Sequence, residues 1–135
     1  MRFAKWVFLI AGVYGVLLIA PSYFLERRFG EEYPPAINHP EFFYGFMGAG
    51  LAWQFMYLLI GSDPPRYRTA MLIASAAKTS FVLAALALFW HDRVPGAMVG
   101  LVMPDAVFTA LFLIAWARTP KTWPRAAGRT WDDFL

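Results

Sequence analysis

The chain has 135 residues, of which 59% are hydrophobic and 16% are charged, and its formal net charge at pH 7 is +3. A soluble domain carries about 25% charged and roughly 45–50% apolar residues, so the composition excludes an ordinary soluble protein and indicates a membrane protein. The absence of cysteine excludes disulfides, thiol redox chemistry and thiolate metal sites. We expect no metal and no cofactor, because no ligand cluster accompanies the two histidines beyond Glu41 and Asp92. We expect no nucleic-acid partner, because the basic residues flank apolar segments.

Four segments are nearly free of charge, and each has about 20 residues, the length that a helix needs to cross a ~30 Å hydrocarbon core. The predicted helices cover residues 6–25, 42–60, 69–90 and 96–117. The first is interpreted as a retained transmembrane helix, because Leu18 and Pro21 suit a signal peptidase badly. Since little sequence is left over, residues 1–135 are predicted to form a single four-span membrane domain.

The connections predict how the four helices are arranged. The first, ERRFGEEYPPAINHP, is the longest and most acidic, and its prolines predict an irregular loop. The other two have fewer than ten residues, which forces the helices that they join to lie side by side and antiparallel. The predicted fold is therefore an all-α, integral membrane, antiparallel four-helix bundle.

Lysine and arginine predict the orientation of this bundle. Four crossings would place eight of these residues, including Arg66 and Arg68, on the side of both termini, and three on the other side. Cytoplasmic segments carry the excess of Lys and Arg, so both termini are predicted to be cytoplasmic, in the inner membrane. Arg66 and Arg68 either follow this bias alone or bind a lipid headgroup. The basic tail, residues 118–135, is expected on the inner leaflet, where anionic lipid contributes about 1 kcal/mol per basic residue.

Lys78 is a cation near the middle of the third predicted helix. A central lysine costs about 2.5–3.5 kcal/mol on the insertion scale, whereas each Leu, Ile, Phe or Val returns about 0.3–0.6 kcal/mol. The third segment has eight such residues, which return about 2.4–4.8 kcal/mol together. Because the lysine cancels most of this gain, its side chain is expected to face the bundle interior and to find a partner.

Asp105 in the fourth segment is the predicted partner of Lys78. At 1.5 Å per residue, Asp105 lies ~13 Å and Lys78 ~18 Å from the outer ends of their helices. A lysine stem can bridge the difference of ~5 Å. The sequence therefore predicts a Lys78–Asp105 ion pair, which either fixes helix register or takes part in function. Pro104 could kink this helix and open a small polar cavity beside the acid, or could be an ordinary proline of a membrane helix.

The second predicted helix adds further candidate residues. Gln54 lies ~20 Å below Glu41, close to the level of Lys78, but points about 140° away from Glu41 around the helix. Glu41 follows Pro40 in the first turn, where its carboxylate favours the positive helix end, and Tyr44 lies beside it. His39 falls at the outer interface, where a titrating histidine could make the rim pH-sensitive.

Glycines of the first two predicted helices suggest close packing. Gly45, Gly48 and Ala52 form a stripe of small residues, and small residues let membrane helices approach each other. Gly12 and Gly15 are the expected opposing surface.

Several motifs carry a family resemblance. The segments HPEFFYGFMGAGLAWQ and SDPPRYR, followed by a lysine in the third helix and an aspartate in the fourth, resemble a set of small bacterial four-helix membrane proteins. The layout is also similar to the DoxX-like and BphX-like families, over nearly the whole chain in topology. Some DoxX-type members are accessory membrane subunits of oxidoreductase systems. The resemblance implies no catalytic residue, and the sequence has no redox-cofactor motif.

Three functions are compatible with these features. The first is a non-catalytic accessory or structural subunit, with the lipid bilayer and another membrane protein or a second copy as partners. The second is small-molecule or lipid binding, or proton-coupled transport, along a polar path. The residues of that path would be Lys78, Asp105, Gln54, Glu41, Tyr44 and His39. The third is a lipid-modifying enzyme with Asp105 or Glu41 as acid or base.

Overall fold

The computed structural model describes residues 2–121, and this part of the chain is helical without any strand. Its helices are α1 (Arg2–Ser22), α2 (Glu26–Glu32), α3 (Pro40–Ser62), α4 (Arg68–Trp90) and α5 (Gly96–Arg118). The helices α1, α3, α4 and α5 are long and apolar enough to cross a membrane. The predicted all-α, multi-pass membrane class is therefore confirmed. The basic tail beyond Lys121 lies outside the described residues.

The helix α1 differs in its bounds from the predicted helix at residues 6–25. It begins at Arg2 and ends at Ser22, whose hydroxyl donates to the Leu18 carbonyl oxygen at 2.9 Å. The prediction followed the apolar window alone. A helix can continue through basic residues such as Lys5, because long cationic side chains reach the headgroup layer while their stems stay on apolar surface.

The helix α2 lies within the connection that was predicted to be irregular, so this prediction was wrong for residues 26–32. The prolines act only after this helix has ended. Within it, Arg27 donates to Glu31 at 2.8 Å, a pairing one helical turn apart that supports a short exposed helix. On its other side, the Phe29 ring packs on Phe43 at the start of α3, with 5.8 Å between ring centroids.

Two pairs of helices make most of the interhelical contacts. The helix α1 packs along α3, and α4 packs along α5, whereas contacts between the two pairs are fewer. At the end of the molecule that holds the start of α1 and the 63–67 turn, side chains of all four long helices pack together. A cluster of buried side chains lies there: Ala4, Val7, Phe8, Ala11, Tyr57, Ile60, Met71, Ala74, Phe112 and Ala115. The other buried hydrophobic side chains of the described chain are Met47, Ala85 and Val102.

Glycines bring α1 and α3 close together, but not through the predicted stripe. A Cβ on Gly12 would lie 2.7 Å from the Leu58 side chain, and one on Gly61 would lie 2.8 Å from Leu9. At Gly45, a Cβ would meet nothing within 4 Å. The expectation that the Gly45 stripe opposes Gly12 was therefore wrong. In the observed register Gly12 lies at the level of Leu58, about four helical turns below Gly45.

Candidate functional site

Lys78 of α4 and Asp105 of α5 form an ion pair in the interior of the molecule. The Lys78 amine donates to a carboxylate oxygen of Asp105. Their side chains retain 12% and 23% of their accessible surface, respectively. The predicted contact is confirmed. Each residue neutralises the charge of the other in largely apolar surroundings.

Two aromatic rings complete the surroundings of the lysine. The Lys78 amine lies 5.3 Å from the centroid of the Tyr57 ring and 5.7 Å from that of Phe108. A cation at this distance is attracted to the negative face of a ring, by about 2 kcal/mol or more where water is excluded. The ammonium group is thus held by one carboxylate and two rings, which come from α3 and α5.

These aromatic neighbours were missed in the sequence analysis. Phe108 could have been found, because it is three residues after Asp105 and hence on the same face of a helix. Tyr57 gave no such signal, because its approach to Lys78 depends on how α3 is rotated. Both rings continue into the core, where Tyr57 lies 5.1 Å and Phe108 6.1 Å from Phe112. The aromatic core therefore lies directly next to the ion pair.

Asp105 directly follows Pro104, and α5 continues through both residues. A proline lacks the N–H that would bond to the carbonyl four residues earlier, here Gly100. In the next turn, the Thr109 hydroxyl donates to the Asp105 carbonyl oxygen at 2.9 Å. The backbone of α5 therefore lacks one helical hydrogen bond before Asp105, and its Asp105 carbonyl accepts an additional one from Thr109.

Gln54 is buried, with 5% exposure, but is directed at α1. Its amide nitrogen donates to the Gly50 carbonyl oxygen at 2.9 Å. A Cβ on Gly15 would overlap the Gln54 amide, so the glycine provides the space that this side chain fills. Gln54 therefore serves the α1–α3 contact, whereas Lys78 and Asp105 bridge α4 and α5.

Three of the candidates are exposed and lie where α3 begins: His39, Glu41 and Tyr44. The His39 ring nitrogen Nδ1 and the Glu41 carboxylate are 3.1 Å apart, and the Tyr44 hydroxyl donates to Glu26 at 2.7 Å. Pro40 is the first residue of α3, and Glu41 lies in its first turn, as predicted. The Glu26 contact was not foreseen, since it needs α2 to fold back onto α3. The six candidates thus occupy three separate places.

Arg66 and Arg68 lie where α4 begins. The Arg68 guanidinium carbon is 4.4 Å from the Trp116 ring centroid, and its Nε donates to the Thr119 carbonyl oxygen at 2.8 Å. The Arg66 guanidinium lies 5.6 Å from the Tyr67 ring. Arg68 is therefore fixed against the end of α5, while Arg66 is exposed.

Two open depressions lie away from the ion pair. One, of about 380 Å³, lies over Gly30 between α2 and the following loop, and the other, of about 300 Å³, lies on α3. The second is bordered by Ala49, Ala52, Trp53 and Met56. Neither depression is lined by Lys78 or Asp105.

Comparisons with known proteins identified no relative. No family model matches the chain, and neither a curated protein nor a solved structure matches it.

Proposed function

We propose that this chain is a non-catalytic, multi-pass protein of a bacterial inner membrane, an accessory or structural subunit. The observation that carries the proposal is the contact of Lys78 with Asp105 between two aromatic rings. A buried pair of this kind fixes how helices meet, because a different register would leave each charge without its partner. The similarity in layout to DoxX-like families, some of whose members are accessory subunits, is part of this proposal.

The proposal includes an antiparallel four-helix bundle with both termini cytoplasmic. Its support is the observed register, in which later residues of one helix meet earlier residues of its partner. Gly12 meets Leu58 and Gly61 meets Leu9, while Lys78 meets Asp105 and Arg68 meets Thr119. The excess of Lys and Arg on the side of the termini supports the orientation.

Cysteine labelling tests this orientation, and the absence of native cysteine makes single introduced thiols specific. In spheroplasts, a membrane-impermeant maleimide is expected to label Asp92→Cys and not Ser62→Cys. After the cells are broken open, both should react. Labelling of Ser62→Cys in intact spheroplasts would contradict the cytoplasmic assignment of the 63–67 turn.

Transport or ligand binding is the second candidate. It is favoured by the 23% exposure that the Asp105 side chain retains, directly after Pro104. An enzyme is less well supported, because Glu41 pairs with His39 at the rim while Asp105 pairs with Lys78 in the interior. The carboxylates therefore do not face a common space.

Two measurements distinguish the accessory role from transport. The purified chain in proteoliposomes is expected to conduct no protons under an imposed pH gradient, and Asp105→Asn should change nothing in that assay. Isolation from its own membranes in mild detergent should recover a second membrane protein, or a second copy, at a constant ratio. A proton flux that Asp105→Asn abolishes, in a variant that still inserts, would replace the accessory role by transport.

A further inference from the structure

We propose that Arg68 binds the phosphate of an anionic phospholipid at the membrane surface where α4 begins and α5 ends. Only the leaflet depends on the proposed orientation, because the site itself is formed by α4 and α5 in either case. The inference goes beyond the accessory role, because that role is based on the Lys78–Asp105 pair in the middle of these helices and not on their ends.

The guanidinium plane of Arg68 is held in place by two contacts. The guanidinium carbon lies over the Trp116 ring, 4.4 Å from its centroid, and Nε donates to the Thr119 carbonyl oxygen at 2.8 Å. Thr119 is itself buried, and its hydroxyl donates to the Ala115 carbonyl oxygen at 2.7 Å. The partners of Arg68 therefore belong to a packed helix end, and the arginine has a defined direction.

The terminal nitrogens of this guanidinium are the donors that Thr119 does not use. Within residues 2–121, its terminal nitrogens have no hydrogen-bond partner, and the side chain is half-buried. Two parallel N–H donors match two oxygens of a phosphate, and a fork that is already oriented loses less entropy when it binds. A phosphate is thus the ligand that this edge suits.

The other arginines of this surface differ from Arg68. Arg66 lies 5.6 Å from the Tyr67 ring and Arg118 lies 5.2 Å from the Phe3 ring, and both are exposed. No side-chain hydrogen bond within the described part of the chain fixes either guanidinium. Arg66 and Arg118 provide positive charge that attracts any anionic surface. Arg68 provides charge and also hydrogen-bond donors that are held in a fixed direction. The proposal therefore keeps Arg68, and not Arg66, from the two residues that were predicted as candidates for binding a lipid headgroup.

The position of Arg68 favours a lipid over a soluble phosphate. Tryptophan rings such as that of Trp116 concentrate in the interfacial layer, which also holds lipid phosphates. Leu72 follows Arg68 by one helical turn on the same side of α4 and is 39% exposed. A lipid whose phosphate binds Arg68 would lay an acyl chain along Leu72. The phosphate of phosphatidylglycerol carries a charge that no headgroup ammonium balances, so this lipid class should bind best.

The test titrates phosphatidylglycerol or phosphatidylcholine into the full-length chain in maltoside micelles and follows the thermal unfolding midpoint. Phosphatidylglycerol is expected to raise the midpoint of the native chain more than phosphatidylcholine does. Arg68→Lys keeps the charge but loses the fork, and should weaken the phosphatidylglycerol effect about tenfold in lipid concentration. Each variant is compared with its own midpoint without lipid, so that lost stability is not mistaken for lost binding.

Arg118→Lys is the matched control, because it makes the same replacement at an arginine whose guanidinium donates to no backbone carbonyl among residues 2–121. It should keep the response of the native chain. Equal losses in Arg68→Lys and Arg118→Lys would overturn the site in favour of general attraction between charges. Equal protection by millimolar inorganic phosphate would overturn the lipid assignment.

Photo-crosslinking covers the case in which Arg68→Lys does not fold. A phosphatidylglycerol with a diazirine on its acyl chain is mixed with the native chain and irradiated, and the adducts are mapped. They are expected in the first two turns of α4, around Leu72. Adducts spread evenly over all four long helices would contradict the proposal.

Discussion

Replacement of Asp105 by leucine is expected to destabilise the protein by about 3–5 kcal/mol. The variant leaves the Lys78 amine in the interior without its carboxylate, and the rings of Tyr57 and Phe108 cannot replace a full negative charge. The free energy of unfolding can be measured by SDS titration from mixed micelles, with helicity as the readout. Asp105→Asn should cost less, because the amide oxygen still accepts a hydrogen bond.

The control for Asp105→Leu is the double variant with Lys78→Met and Asp105→Leu. Removing both charges leaves no buried ion without a partner, and buried pairs replaced by apolar residues of similar size are often as stable as the original or more stable. The double variant should therefore recover to within about 1 kcal/mol of the native chain or exceed it. A double variant as unstable as Asp105→Leu would show that the unpaired Lys78 charge does not cause the loss, and would contradict the structural role of the pair.

Replacement of Gly12 by leucine is expected to separate α1 from α3. A Cβ at this position would lie 2.7 Å from the Leu58 side chain and 3.0 Å from the Gln54 carbonyl oxygen. The Leu58 side chain could move, but the Gln54 carbonyl belongs to the backbone of α3, so the helix itself must shift. Overpacking of this kind typically costs about 1–3 kcal/mol. The same SDS titration measures it.

Gly45→Leu is the control for the glycine experiment. Both substitutions replace a helical glycine by the same residue in a membrane-spanning helix, but a Cβ on Gly45 meets nothing within 4 Å. Gly45→Leu should leave stability unchanged or raise it, since leucine is the better helix former. If the two variants lose the same stability, the observed register of α1 and α3 is wrong.

The cost of a charge in hydrocarbon made the central feature of the interior predictable from sequence. Lys78 cancels most of the insertion energy of its own helix, and Asp105 is an acid at a compatible depth in the next span. Distance along the chain and a large local energy suffice to predict this pair. The four long helices were predictable for the same kind of reason, because segment length and polarity decide whether a helix can cross a bilayer.

Features that depend on helix rotation were not predictable. Gln54 lies at the level of Lys78 by residue count, yet it fills the space beside Gly15. Apolar, aromatic and small residues occur on several faces of α3, so its sequence does not define one interior face. The placement of Tyr57 near Lys78 is a consequence of the same rotation.

Contacts between segments distant in sequence were also decided only by the tertiary structure. Arg68 bonds to Thr119, 51 residues later in the chain, and Tyr44 bonds to Glu26 because α2 folds back on α3. A single hydrogen bond contributes only about 0.5–1.5 kcal/mol, too little to be recognised from residue types against many equivalent partners. By itself, the sequence determined which segments are long and apolar enough to cross a membrane and that the buried lysine needs an acid, because those energies are large and local. The tertiary structure decided rotation, register and the remaining polar contacts, because these follow from packing summed over whole helices.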